Sequence, residues 1–284
     1  MQKNKLIYLF FIFTFPLHAQ YTLIFDLGNV LMHFNSLSIF SHFSLFDIAS
    51  YKVEHPIAPA DKDYFSFLST LEPLDDNCKT FHQENCLPQI ISYSHRGDKN
   101  HSSSELKPYI QNEIMNSSIL SPQQKDLFWS MTDFLFDAKK IVSSFVIPKE
   151  SIEMLTDYKE KGYKVYLVSN IDEESYYEMK KQHPEFITLF DKTYISALEK
   201  KVKPDVSWYQ DILEGLDPSK TVFIDDTQAN LNSMQTLQVH TILCKYHHQG
   251  FNVVPYLEGV KDMIDLWIND KKQAQERAAQ KNAL

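Results

Sequence analysis

From Pro148 to Cys244, short apolar runs alternate with amphipathic segments, and this alternation narrows the fold more than any other feature of the sequence. "PKESIEMLTDYKEKG" predicts a helix with Ile152, Leu155 and Tyr158 on one side and Gly162 at its end. "YKVYLVSN" reads as a buried strand, "EESYYEMKKQ" as a helix and "KTYIS" as a short strand. "PDVSWYQDILEGL" predicts a helix, "TVFIDD" a strand, "NLNSMQTLQ" a helix and "HTILC" a last strand. Strands that alternate with helices of this length build βαβ units, so the expected class is α/β, a Rossmann-like doubly wound parallel sheet covered on both faces. In such a sheet the ligand crevice lies beyond the carboxyl ends of the strands.

Residues 21–34, "YTLIFDLGNVLMHF", supply one more strand and a question. An acidic residue, Asp26, ends a buried apolar run, where it should cost stability. Ser169, Asn170, Asp225 and Asp226 stand in the same kind of place, each straight after a strand. Taken singly, each has an ordinary explanation. Asp and the Ser-Asn pair make good helix and turn caps, and Lys203 before Pro204 reads as a solvated loop cation. Taken together, they carry complementary chemistry to one crevice.

The N-terminus has the order of a secretory signal: basic "MQKNK", apolar "LIYLFFIFTF", then "PLHAQ" with a helix breaker and a small residue. Residues 1–19 are expected to be removed after Ala19, leaving a chain exported to the periplasm or medium, without stable membrane association. The competing reading is an uncleaved anchor, against which stands a run well short of the ~20 apolar residues of a span. Export would make a disulfide between Cys78 and Cys86 plausible, whereas Cys244 reads as a plain core residue. The net charge of −9 argues against a nucleic-acid surface as the main partner. "SPQQKDLFWSMTDFLFDAKKIV" opens as a helix does, with Ser-Pro and a Gln three positions after the Ser. The stretch around residues 74–104 has no steady period, as in a lid insert or a disordered segment. "CKYHHQG" offers no second ligand pair for a metal and reads as a surface loop.

In order, "FDLGNV", "LVSN", "KVKPD" and "FIDDTQAN" resemble the motifs of the haloacid dehalogenase-like hydrolases. The nearest likeness is to small sugar-phosphate phosphatases of the glucose-1-phosphate phosphatase type. The resemblance covers about residues 21–34 and 148–245. It implies a catalytic core of residues 20–34 and 146–270, an inserted, mainly helical cap of residues 35–145, and a polar C-terminal tail of residues 271–284. The stretch from Asp26 to Ser169 is long for such a cap, and the aperiodic segment accounts for the excess.

Carried over motif by motif, the resemblance makes Asp26 the nucleophile of an aspartyl-phosphate mechanism with Mg2+ as cofactor. Asp26, Asp226 and the Gly28 carbonyl match the metal ligands, with Asp225 a ligand through water or an orienting group. Ser169 and the Asn170 N–H match the phosphoryl-oxygen site, and Lys203 the cation that balances the nucleophile and the transferred group. The partner implied is a small phosphorylated metabolite, a sugar phosphate among the expectations.

One departure stands out. Most phosphatases of this superfamily carry a second Asp two positions after the nucleophile, which protonates the leaving group, and here that position is Gly28. The glucose-1-phosphate phosphatase branch shares the "DLGN" form. A substitute acid would come from His33, the cap histidines, Glu84 or water, and the sequence selects none. Two other functions remain open: a non-catalytic binding protein on the same fold, suggested by Gly28 and the long cap, and a dehalogenase, which also lacks the second Asp. The Asp225-Asp226 pair argues against the dehalogenase, since a halide-displacing site has no use for a cation.

Overall fold

The computed structural model describes residues 21–54, 60–71, 89–97, 101–249 and 252–282. The expected signal, Cys78, Cys86 and Glu84 lie outside the described residues. Strands are β1 (Thr22–Phe25), β2 (His33–Phe34), β3 (Phe145–Val146), β4 (Lys164–Ser169), β5 (Lys192–Ile195), β6 (Thr221–Asp225), β7 (His240–Leu243), β8 (Tyr246–Gln249) and β9 (Asn252–Pro255).

Five of them form a parallel sheet in the order β5-β4-β1-β6-β7. Strand β1 is central, with Thr22 opposite Lys164 on one side and Thr221 on the other. Alternate side chains along the strands enter two cores. Leu23, Phe25, Val165, Leu167, Val222 and Ile224 join one, under the helices Lys149–Glu160, Glu173–Gln182 and Leu257–Asn282. Ile24, Tyr166, Val168 and Phe223 join the other, under Val206–Ile212 and Gln228–Gln235. Burial on both faces is why these strands read as unbroken apolar runs rather than alternating ones. The fold is therefore an α/β, Rossmann-like sheet with flanking helices, as expected.

Between β2 and β3, which pair antiparallel, the described chain is helical: Ser36–Ser41, Leu45–Glu54, Ala60–Leu71, Gln89–Arg96, Ser103–Asn116, Pro122–Leu135 and Ala138–Ser143. These helices bury a separate aromatic-rich cluster around Tyr51, Tyr64, Phe67, Ile110, Phe128 and Phe136.

Five expectations need correction. The segment from Ser121 is two helices, because Asp137 accepts hydrogen bonds from the N–H groups of Lys139 and Lys140 and so starts a new one. The helix opening at Ser121 does have the expected reciprocal cap with Gln124. In Lys149–Glu160 the buried stripe is Ser151, Met154, Leu155 and Tyr158. Ile152 lies about 100° round from Ser151 and is 39% exposed. The helix expected from Pro204 to Leu216 covers only Val206–Ile212, with Gly215 at φ +74° beyond it. The polar tail is helical as far as Asn282: Gln, Lys, Glu and Ala are good helix formers, although its side chains beyond Lys271 are exposed. "YHHQ" is not a loop but β8, one arm of a hairpin with β9. Cys244 is buried, as expected. Among the described residues no helix is long and apolar enough to cross a membrane.

Candidate active site

Because β1 lies between β4 and β6, its carboxyl end is flanked by theirs. The Asp26 N–H continues the ladder by donating to the Ile224 carbonyl (2.9 Å), which places the Asp26 carboxylate beside that of Asp225. Into this pair comes Lys203 from a loop. Its ammonium lies 2.6 Å from an Asp26 oxygen and 2.8 Å from Asp225 Oδ2, with only 3% of the side chain exposed. The loop is held by Asn170, whose Oδ1 accepts from the Lys203 N–H (2.8 Å) and whose Nδ2 donates to the Lys203 carbonyl (3.1 Å). Asn170 thus positions the lysine through its amide side chain, whereas the resemblance assigned it only a backbone N–H.

Asp225 is fully buried, and both its oxygens are engaged. Oδ1 accepts from the Thr227 N–H and from Asn230, and Oδ2 from Lys203 and Asn230. That leaves Asp225 suited to orienting its neighbours. Asp226 is half-buried and accepts from Asn29 Nδ2 (3.0 Å) and the Thr227 hydroxyl (3.2 Å). Asn29 sits at φ +54°, a left-handed conformation that asparagine tolerates better than most residues. The turn is closed by the Leu31 and Met32 N–H groups, both donating to the Leu27 carbonyl.

Burial raises the Asp26 carboxyl above the ordinary carboxylate range; Lys203 opposes that, and Asp225 and Asp226 reinforce it. For Lys203, burial alone would lower the ammonium, but Asp225 and Asp26 outweigh it and hold it above the usual lysine value. Asp226 is raised, chiefly by burial. One ammonium thus faces three carboxylates. Asp26, Asp225 and Asp226 each offer an oxygen within 4.8 Å of the others, and hard oxygen donors with excess negative charge suit Mg2+. The residues present fit the cation that the motifs imply.

A cavity of about 290 Å3 opens beside this cluster, lined at one end by Gly28, Ser169 and Asn170. The Ser169 backbone ends β4, and its side chain is buried. A Cβ added at Gly28 would meet nothing within 4 Å, and the residue does not lie at positive φ. The backbone therefore does not require glycine there.

All seven residues singled out in the sequence lie at the carboxyl ends of β1, β4 and β6 or on the loop between them. His33 does not line the cavity: it is buried on β2 with Nδ1 unpartnered among the described residues. His95, on the helix Gln89–Arg96, does line it. Asn29, Thr227 and Asn230 went unassigned, although they stand inside "DLGN" and "DDTQAN". An amide or hydroxyl one to five residues from a strand-end Asp was the available signal.

The model of the haloacid dehalogenase-like hydrolases matches residues 22–236. The sesquiterpene phosphatase astK of Aspergillus oryzae is 34% identical over 86 residues, 30% of this chain and 43% of that protein. The match therefore spans less than half the length of this curated relative. A HAD family enzyme of Bacteroides thetaiotaomicron, solved as an aspartate-to-alanine variant with magnesium and inorganic phosphate, superposes with a TM-score of 0.51 at 21% identity, covering 82% of this chain and 97% of that one. Its wild-type form, with the same ligands, gives 0.49 at 23% identity, covering 82% and 98%. At such identities the likeness concerns the fold. The matches speak for the family and not for the glucose-1-phosphate phosphatase type.

Proposed function

The chain belongs to the haloacid dehalogenase-like hydrolases, and from that membership we propose that it is a phosphatase acting on a small phosphomonoester through a phosphorylated Asp26. The observation that carries this reading is the Lys203 ammonium, buried between Asp26 and Asp225 with Asp226 in the same cluster. A carboxylate is a weak nucleophile, so the reaction depends on alignment and charge balance. Lys203 fixes the Asp26 carboxylate and offsets part of the charge, and Asn170 fixes Lys203. The Ser169 hydroxyl and the Asn170 N–H hold the phosphoryl oxygens.

As the bond from an Asp26 oxygen to phosphorus forms, the bond from phosphorus to the ester oxygen breaks, and the alcohol leaves with a proton. Water then attacks the phosphorus of the aspartyl-phosphate, releasing inorganic phosphate and restoring the carboxylate. Asp26, Asp226 and the Gly28 carbonyl, with Asp225 behind them, would hold Mg2+, which would supply neutralisation of the phosphoryl charge. With glycine at position 28 no carboxylic acid protonates the leaving group there. Absence of such help costs about 10²- to 10⁴-fold in rate, so turnover of unactivated esters is expected to be slow. The phosphatase named among the relatives supports the reaction class.

Purified protein should release phosphate from a generic aryl phosphate with Mg2+ and not with chelator. Asp26→Asn should abolish this while the melting profile shows a folded protein. More than a few per cent of residual activity would sink the covalent mechanism. No turnover in any metal condition would favour a binding protein, and metal-independent release of chloride from a haloacid would favour a dehalogenase. We also propose that residues 1–19 are removed on export. Mass spectrometry should place the mature N-terminus near Gln20, and an intact Met1 on membrane-bound protein would refute this.

A further inference from the structure

The cavity beside the cluster is lined very differently at its two ends. Gly28, Ser169 and Asn170 form the end that adjoins the carboxylates. Away from them the wall is hydrocarbon and aromatic, with Phe34, Phe65, Ile91, Leu135, Phe136 and Phe145 contributed by the helical segment and by strands β2 and β3. The polar side chains of that wall, Ser94, His95, Ser103, Asp172 and Ser175, are a minority of its lining. Ser94 and Ser103 share a hydrogen bond at 3.0 Å, and the Asp172 carboxylate caps a helix by accepting from the Ser175 N–H (3.0 Å). Among the described lining residues, only His95 has a buried side-chain atom, Nδ1, without a partner.

A sugar would bring several hydroxyl groups against a wall that is mainly hydrocarbon among the described residues, and each hydroxyl buried there without a partner opposes binding. A hydrocarbon group would fill the same space at no such cost and would displace water from aromatic walls. At about 30 Å3 per water-sized group, 290 Å3 holds about ten non-hydrogen atoms.

We propose that this cavity seats the alcohol half of the substrate, and that its occupant is an apolar aromatic or branched hydrocarbon alcohol of about that size. The proposal rests on the phosphatase reading of Asp26 and narrows its substrates to hydrophobic phosphomonoesters. Phe34 and Phe145 stand edge to face, ring centroids 4.9 Å apart. With Phe34 37% exposed, this pair forms the accessible side of the pocket.

The test compares 3-phenylpropyl phosphate with glucose 6-phosphate, both esters of primary alcohols, so that leaving-group chemistry is matched and the cavity is what differs. With one methylene in an apolar pocket worth about tenfold or more, kcat/KM should favour the phenylpropyl ester by at least about 100-fold. Phe34→Ser, at a position exposed enough to spare the fold, should reduce that ratio about tenfold. Calorimetry on Asp26→Asn, with 3-phenylpropyl phosphate and with inorganic phosphate, reads the cavity without turnover. A ratio near one or favouring the sugar overturns the apolar subsite and leaves the phosphatase reading intact. Absence of turnover, with the phenylpropyl ester still binding at least tenfold tighter than phosphate, upholds the subsite and overturns the phosphatase reading. Neither turnover nor preferential binding overturns both.

Discussion

Replacing Lys203 by methionine keeps the length and apolar stem of the side chain and removes its charge. At an effective dielectric constant of about 20, contacts of 2.6 and 2.8 Å are each worth about 6 kcal/mol before desolvation. Desolvation of the ammonium and both carboxylates offsets most of that in the native protein. The variant keeps the cost for Asp26 and Asp225 and loses the attraction, a situation that typically costs about 3–5 kcal/mol. With a urea dependence of about 2–3 kcal/mol/M, the midpoint in chelator should fall by about 1–2.5 M. Two of the three tryptophans, Trp208 and Trp267, are buried in the two cores that sandwich the sheet, so the fluorescence change will be dominated by the transition of the sheet, with Trp129 of the helical segment 41% exposed. Lys201→Met supplies the control, since Lys201 pairs with Asp211 at the surface and its loss should leave the midpoint in place. The double variant Lys203→Met, Asp225→Asn should recover part of the loss by removing one orphaned charge, a coupling that a mutant cycle measures directly. A Lys203→Met midpoint within 0.3 M of wild type, where 0.3 M is about the shift of a surface change, would refute the claim that this lysine balances the cluster.

Mg2+ at about a hundredfold excess over its dissociation constant should add about 2.7 kcal/mol and raise the melting temperature by about 5–10 °C. Asp226→Ala should melt no lower than wild type in chelator, because it removes a repelling charge, and should lose the Mg2+ response. A variant that still responds fully would show that Asp226 is not a ligand. Gly28→Asp places a carboxyl where a Cβ meets nothing and should raise kcat on an unactivated alkyl phosphate by about 100-fold with the fold retained; an unchanged kcat would mean that proton transfer does not limit the reaction. Burial holds the His33 imidazole below its usual pKa. Its contribution to stability is therefore complete above the unfolded value of about 6.5 and is lost as pH falls through the lower folded value. Melts between pH 7.5 and 5 should show a steeper fall for wild type than for His33→Phe, and parallel curves would exonerate this histidine.

Much of the sheet is legible in the sequence because its strands, buried on both faces, are continuous apolar runs, as in "TLIF" and "VYLV". The strand-end residues Asp26, Ser169 and Asp225 are legible for the complementary reason, since polarity at the end of such a run needs an explanation. Other features depend on partners remote in the chain. Ile152 looks like a core residue until the stripe through Met154 claims the sheet side. The break at Asp137 turns on two backbone hydrogen bonds, and "YHHQ" becomes a strand only because Asn252–Pro255 folds back on it. The cavity assembles residues from Leu27 to Ser175, a convergence that no local pattern announces. Asn170 illustrates the limit, since its position was legible while its partner, the Lys203 backbone, was not.

The central place of β1 also sets the order in which this molecule can assemble. Thr22 is made before either of its neighbours, Lys164 and Thr221, and the whole helical segment lies between it and the first of them. Closing loops of that length must be achieved before the pairing rewards it, which makes sheets of this connectivity slow to form. Until β6 is available, the first strand has only one of its two native edges to satisfy. Asp26 and its charge partners Lys203 and Asp225 therefore come together only after β6 has been made. A chain built this way remains open for longer than one whose first strand pairs with its second.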